Sequence, residues 1–376
     1  MSLNWQKGPS CISWTHFTFN LHHGCSMVSR ACNPNCYAMI LSANKGKAFQ
    51  SVASKTKGGQ SRWNKDSNGD PVFVPLYSAL GELRGLSPET TLYNLIKLYN
   101  HQELDKETDR FIYTEQKRFP VGPRLPATCF IDDVSDFFHE QSFKHQDFMD
   151  KCMDSFENMD FIHFQLLTKR TQRMLEYSQR RPFPDNVWAG TTCETTDKNF
   201  RGQNYSWDGE KEVKVGGIQA NYENALKGVP LHDGVPPWER PKLLAQVQAK
   251  VRFLSVEPMT GPIELDKKTW EKISWVIIGG ESDGYPSRNL KGKLKKKDKP
   301  TKPVMRLCDI ADIPNGVKDL LKQCKRHKVP VWFKQWGSYN EDGVYLGGHA
   351  MAGHEVSGGV QYGWPTYYEN ILRKGR

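Results

Sequence analysis

The chain has 376 residues, 38% hydrophobic and 11% aromatic, with a formal net charge of +10. That is enough apolar material for one large α/β barrel or two ordinary domains, and it excludes a chain that is disordered throughout. No apolar run approaches the roughly 18 residues a membrane span needs, and the opening Met-Ser-Leu-Asn-Trp-Gln-Lys lacks the apolar core of a secretory signal, so a cytoplasmic protein with no membrane partner is expected.

A first strand is expected near Trp14–Asn20, leading into His22–Ala38, where Cys25, Cys32 and Cys36 fall within twelve residues. A disulfide would leave one of the three unpaired and require an oxidising compartment, whereas three thiolates on one short loop suit a soft metal centre. The spacing leaves three readings open: a Cys3His zinc site completed by His22 or His23, an iron–sulfur cube with one open iron, or buried apolar thiols. The other six cysteines (11, 129, 152, 193, 308 and 324) stand singly, and are read as packing residues.

From Asn44 to Asn68 the composition is Lys, Gly, Ser and Gln with few apolar residues, which reads as an excursion after the cysteine loop. Leu92, Leu95, Ile96 and Tyr99 follow the i, i+3, i+4, i+7 spacing of a helix over Pro88–Leu104. After Pro126 one unit repeats, an apolar β-rich run followed by polar residues and, in several cases, a helical pattern. The runs are Thr128–Ile131, Ile162–Leu167, Val187–Ala189, Val251–Leu254, Trp275–Ile278 and Val329–Phe333; helices are expected around Met149–Phe156 and Val317–Cys324. Strands alternating with helices imply a parallel sheet buried on both faces.

Each run ends in a polar cluster: Asp132–Asp136, Thr168–Arg170, Thr191–Glu194, Ser255–Glu257, Gly279–Ser282 and Lys334-Gln335. In a β/α barrel the active site is built at the C-terminal ends of the strands, so these clusters are expected to converge on one mouth with the cysteine loop. The expected fold is therefore α/β, a partial (β/α) TIM-type barrel of about six to seven parallel strands. It spans 1–336, carries the cysteine loop at 22–38 and insertions at about 44–126, 200–241 and 288–305, and is followed by a Gly-rich C-terminal extension, 337–376. The Gly-, Asn-, Trp- and Pro-rich 200–241 stretch is too long for an ordinary connection and is expected to be an excursion over the mouth or a disordered flap. Lys291–Lys302 holds seven lysines against the single Asp298, which is either a solvated loop or a phosphate-contacting arm.

Taken together, Ser10–Asn20, Gly24-Cys25 through Cys36-Tyr37-Ala38, Phe130–Phe138, Leu166–Arg170, Arg252–Pro258, Trp275–Ser282 and Trp332–Gly337 resemble, in order, the blocks of a phage-associated three-cysteine family. That family is similar to radical S-adenosylmethionine (SAM) enzymes, including the spore photoproduct lyases. The resemblance implies a [4Fe-4S] cluster on Cys25, Cys32 and Cys36 and SAM bound at the open iron, where one electron yields a 5′-deoxyadenosyl radical. It implies an electron donor such as flavodoxin and, for a phage-encoded chain, the cytoplasm of a bacterial host. Gly279 and Gly280 would let backbone approach SAM and Glu281 would accept from it, with Tyr37, Ser135 and Asp136 also expected at the cofactor and Lys169 and Glu257 as catalytic residues. The expected activity is modification or rearrangement of a nucleobase substituent, such as a hypermodified pyrimidine in phage DNA, with DNA or a nucleotide held through Lys291–Lys302. The competing expectations are a zinc-stapled nucleic-acid-binding protein without catalysis, and a radical enzyme acting on a peptide or small metabolite.

Overall fold

A computed structural model of the protein describes residues 3–6, 12–26, 28, 32, 36–44, 51–55, 61–108, 123–197, 204–207, 212–215, 235–259, 261–280, 316–337, 355–356 and 359–374. Its centre is one mixed α/β unit with an eight-stranded, mostly parallel sheet curled into a half-barrel. The strands are β1 (Asn4–Trp5), β2 (Phe17–Phe19), β3 (Ala127–Ile131), β4 (Ile162–Thr168), β5 (Val187–Thr192), β6 (Arg252–Val256), β7 (Trp275–Gly279) and β8 (Val331–Gln335), and they lie side by side in chain order. β1 is antiparallel to β2, and the other seven strands are parallel to one another. β1 and β8 are the two edges of the sheet, so it stays open where a TIM-type barrel would close. Among the described residues no helix is long and apolar enough to cross a membrane.

The helices are α1 (Tyr37–Asn44), α2 (Tyr77–Arg84), α3 (Pro88–Thr108), α4 (Gln146–Glu157), α5 (Thr171–Arg180), α6 (Arg240–Leu244), α7 (Lys267–Trp270), α8 (Val317–His327) and α9 (Thr366–Lys374). Short antiparallel pairs join His22–His23 to Val74–Pro75, Ala53–Lys55 to Ser61–Trp63 and Asn204–Trp207 to Glu212–Val215. The expected helices at 88–104, 149–156 and 317–324 correspond to α3, α4 and α8. α4 shows why: Phe148, Met149, Cys152, Met153 and Phe156 form one apolar stripe and are fully buried, with Phe156 stacked on Phe164 of β4 at 4.3 Å between ring centroids. A buried side chain of this kind contributes about 1.5–3 kcal/mol. Cys152 and Cys324 are core residues, as their spacing implied.

The opposite, concave face is aromatic at its floor and polar at its mouth. Register puts Phe130, Gln165 and Trp188 in one row, Gly190, Phe253 and Trp275 in the next row of the same face, and Ile277 and Trp332 in the one after it. Trp14 packs against Phe130, Phe253 and Trp275 with centroids at 4.9, 6.2 and 6.3 Å. The floor is closed from the C-terminal segment, which the sequence reads as an extension. Trp364, 1% exposed, lies 5.0 Å from Trp332, 5.6 Å from Trp275 and 5.2 Å from Tyr368. The Trp275 indole donates to the Gly363 carbonyl at 2.6 Å, and the Tyr368 hydroxyl donates to the Pro126 carbonyl at 2.6 Å.

Candidate functional site

The site is built on the exits of β2, β3 and β4. Asp132 follows β3 with φ of 61°, a left-handed turn that Asp tolerates better than bulkier residues. Its Oδ1 accepts from the backbone N–H of Leu21 and His22 at 2.7 and 2.9 Å, and its Oδ2 meets His22 Nδ1 at 2.6 Å. Asn20 donates to Asp133 at 2.6 Å and accepts from the Val134 amide at 3.2 Å, and Ser135 Oγ donates to the Gly24 carbonyl at 2.6 Å. The exit of β3 therefore grips residues 20–24 along their length. Gly24 is required there, because its φ is +100° and a Cβ would lie 2.1 Å from the Val72 carbonyl oxygen. The chain then enters the cysteine loop at a fixed angle.

A second grip comes from Arg170, at the junction of β4 and α5. Its side chain is 1% exposed and pairs with Asp136, 8% exposed, at 2.8 Å. The same guanidinium reaches Cys25 Sγ at 3.7 Å, the Ser26 carbonyl at 3.2 Å and Ser26 Oγ at 2.6 Å. Asp136 is held in turn by the Thr168 hydroxyl at 2.8 Å and the Phe138 amide at 3.0 Å. His139 completes the network: its Nδ1 accepts from the Gln141 amide, which leaves Nε2 to donate to Ser26 Oγ at 3.1 Å. Burial, with Arg170 nearby, holds His139 well below the usual imidazole range, so this neutral tautomer is the one present at neutral pH.

Cys25, Cys32 and Cys36 are each half-buried and in no disulfide. Burial pushes the Cys25 thiol up to about 12, against the pull of Arg170 and with Asp136, Cys36 and Cys32 adding to the rise. Burial, and then Cys32, push Cys36 up to about 11, against the Met39 and Ala38 amides and Lys169. Cys36 immediately precedes α1, so those amides are the open N–H groups of a helix start, which favour a thiolate. Without a cation, the Cys25 and Cys36 thiols are protonated at neutral pH. Three soft sulfur donors on one short loop fit a metal or iron–sulfur cluster. Among the described residues, no three Cys, His, Asp or Glu groups stand ready to hold a single metal ion. Of the two histidines considered as a fourth ligand, His22 is committed at Nδ1 to Asp132, and its ring stacks on Phe73 at 4.9 Å.

The other expected residues divide three ways. Lys169 and Glu257 stand at the mouth: Lys169 Nζ lies 3.4 Å from Thr192 Oγ1, and Glu257 forms an ion pair with Lys334, near the end of β8. Ser135 and Asp136 hold the cysteine loop, directly and through Arg170. Gly279 and Gly280 meet protein rather than open space, since a Cβ on Gly279 would lie 3.1 Å from the Glu257 side chain and one on Gly280 would lie 2.2 Å from the Trp336 carbonyl oxygen. The close approach that demands glycine at 280 is thus between the ends of β7 and β8. Tyr37 opens α1, while Glu281 and Lys291–Lys302 lie outside the described residues. Arg170 and Lys334 belong to the strand-end clusters but were given no role of their own, and Ser26 and His139 are members of the constellation outside those clusters.

Residues 93–205 and 209–297 match the family described as protein of unknown function, DUF5131. The match spans Asp136, Lys169, Arg170, Glu257 and the Gly279-Gly280 pair, and begins after the cysteine loop. No curated protein and no solved structure matches the chain. With more than half of its length covered, the chain belongs to the DUF5131 family.

Proposed function

We propose that the protein is a radical SAM enzyme whose half-barrel is a partial TIM-type barrel, with the cluster on Cys25, Cys32 and Cys36. The observation that carries this reading is the double grip on the cysteine loop, by Ser135 on Gly24 and by Arg170 on Cys25 and Ser26, at the strand ends that also bear Lys169, Glu257 and Lys334. When bound, a [4Fe-4S] cluster with SAM supplies one-electron chemistry and a 5′-deoxyadenosyl radical. The chain's own part is to orient and to exclude water. Arg170 offsets charge on the Cys25 sulfur, Lys169 offers a cation beside Cys36, and the Glu257–Lys334 pair presents a polar edge above an aromatic floor.

The reading extends to a nucleobase or nucleotide substrate, with Lys291–Lys302 as a phosphate-contacting arm and a flavodoxin-like electron donor. Anaerobic purification should give a brown protein with about four irons per chain and matching sulfide, and dithionite with SAM should yield 5′-deoxyadenosine. Stoichiometric zinc without sulfide, from cells supplied with iron, would sink the enzyme reading and favour a zinc-stapled binder. Changing Lys293, Lys295, Lys296 and Lys297 to Ser should flatten the salt dependence of DNA affinity by up to roughly four phosphate contacts' worth; identical slopes would remove DNA as the partner of this segment.

A further inference from the structure

Nearly all of the chain's net charge is carried by one stretch. Lys291–Lys328 holds thirteen Lys and Arg against four Asp, a net +9 of the chain's +10. It ends in α8, whose buried face is Val317, Leu320 and Cys324. Lys318, Lys322, Lys325, Arg326 and the capping Lys328 are exposed, and α8 itself carries one carboxylate, Asp319, 2.9 Å from Lys322. Elsewhere on the outer layer charges cancel between neighbours: Arg180 of α5 meets Asp150 of α4 at 2.6 Å, and Arg181 meets Asp154 at 2.7 Å. The neighbour of α8 does not cancel its charge. α7 packs beside it, with Trp270 stacked on His327 at 5.2 Å and Gln323 donating to the Ile263 carbonyl at 2.8 Å. It brings exposed Lys267, Lys268 and Lys272 against Asp266 and Glu271.

Helix stability accounts for only part of this arrangement. Cations in the last turn face the negative end of the helix macrodipole, which explains Lys325 and Arg326, but Lys318 stands in the first turn, where that field opposes it. Lys318, Lys322 and Lys325 stand at i, i+4, i+7 on one face, so like charges adjoin along the helix and weaken it. A row of cations kept at that cost suits a row of anions. At 1.5 Å per residue the row spans about 10 Å, the axial rise of about three phosphates of one duplex strand.

We propose that the exposed face of α8, flanked by α7, is a docking surface for the phosphate backbone of a nucleic acid. His327 leads into β8 at the end of the sheet where strands begin, so Lys318 lies toward the mouth. A strand held along α8 therefore runs up to the rim that bears Lys169, Glu257 and Lys334. Phosphate contacts set register and carry no sequence information, so this surface positions the polymer and leaves recognition to the mouth. As to substrate it rests on the nucleotide reading above, naming a polymer in place of a free nucleotide; the docking itself needs no metal at the cysteines.

The test is fluorescence anisotropy of the full chain with a labelled duplex of about 20 base pairs, across roughly 50–200 mM salt. Lys318→Gln/Lys322→Gln/Lys325→Gln removes three charges and keeps good helix formers in place. Its affinity should weaken over that range by a factor about 40 smaller than the parent's, from a slope of about 0.9 per lost contact. Lys97→Gln/Lys144→Gln/Lys151→Gln makes the same charge change on exposed residues elsewhere and should keep the parental slope. A parental slope in the α8 variant, or equal flattening in both variants, overturns the docking surface. So does a polyglutamate of equal charge that competes as well as the duplex, which makes the partner an acidic protein. An α8 effect beside an unaltered slope in the variant of Lys293, Lys295, Lys296 and Lys297 retains this surface and removes only the arm. Iron and sulfide content decides the radical reading without touching either slope.

Discussion

Replacing Trp364 by Ala tests whether the C-terminal segment is the floor of the half-barrel. The indole is 1% exposed and contacts Trp332, Trp275 and Tyr368 at 5.0, 5.6 and 5.2 Å between centroids, with Trp188 at 6.4 Å and His16 at 5.7 Å. Truncating a buried Trp or Phe to Ala typically costs about 3–5 kcal/mol, the upper end applying where the walls cannot collapse into the hole. Here several walls are strands of one hydrogen-bonded sheet, which fixes their spacing. A chain of 376 residues has an unfolding entropy of roughly 0.8 kcal/mol/K, so the loss corresponds to a Tm lower by about 4–6 °C. Scanning calorimetry and urea unfolding measure it, with Trp364→Phe expected to lose less than half as much. An alanine variant that melts within about 1 °C of the parent would refute the reasoning and make the segment a peripheral appendage.

Three further outcomes follow from the packing and the polar contacts. Under the proposed radical SAM reading, Glu257→Ala and Lys169→Ala should each weaken SAM binding about tenfold or more in equilibrium dialysis with little change in Tm, and parental affinity in both would remove them from the proposed site. Gly280→Ala should lower stability by about 1–3 kcal/mol in urea, because the added methyl would lie 2.2 Å from the Trp336 carbonyl oxygen; a parental midpoint would show that the ends of β7 and β8 part freely. Burial pushes His163 down to about 4 while the Trp188 indole donates to its Nδ1 at 3.1 Å, so the unfolded chain binds this proton below about pH 6.5 and the folded one does not. Stability should therefore be full above that pH and fall by about 2 kcal/mol from this group between pH 6.5 and 5, and His163→Gln should flatten that part of the profile; an unaltered profile would place the proton elsewhere.

How much was legible in the sequence depended on the range of the signal. β4 reads directly because both of its faces are buried, leaving the continuous run Ile162–Leu167, and α4 reads directly because its stripe is wholly apolar. α5 does not, because its buried face includes Thr171 and Ser178 beside Met174 and Leu175, which dilutes the period. Trp364 and Tyr368 were passed over because the rings they meet come from strands spread across the chain. The same holds in the site. Lys169, Arg170 and Glu257 could be placed by the rule that strand ends converge, but the burial of Arg170 could not be read. Its burial depends on Asp136, thirty-four residues earlier, and nothing local distinguishes a sealed guanidinium from a solvated one. The Gly279-Gly280 pair was legible as a close approach, but the approaching group at 280 is the neighbouring strand's own backbone.

Because the strands lie in chain order, the longest insertions between consecutive strands leave from the end of the sheet where strands finish. At the end where strands begin, Glu157 leads to Ile162, Arg180 to Val187, Trp270 to Trp275 and His327 to Val331 within a few residues. At the mouth, Phe19 is separated from Ala127, Thr192 from Arg240 and Gly279 from Val317. Doubling the length of a flexible loop costs only about 0.6 kcal/mol of closure entropy, so one rim tolerates inserted chain and the other does not. Descendants of such a sequence can exchange whole segments above the aromatic floor while inheriting the strand register unchanged, and foreign peptide inserted between Thr192 and Arg240 should be accepted far more readily than the same peptide placed between Trp270 and Trp275.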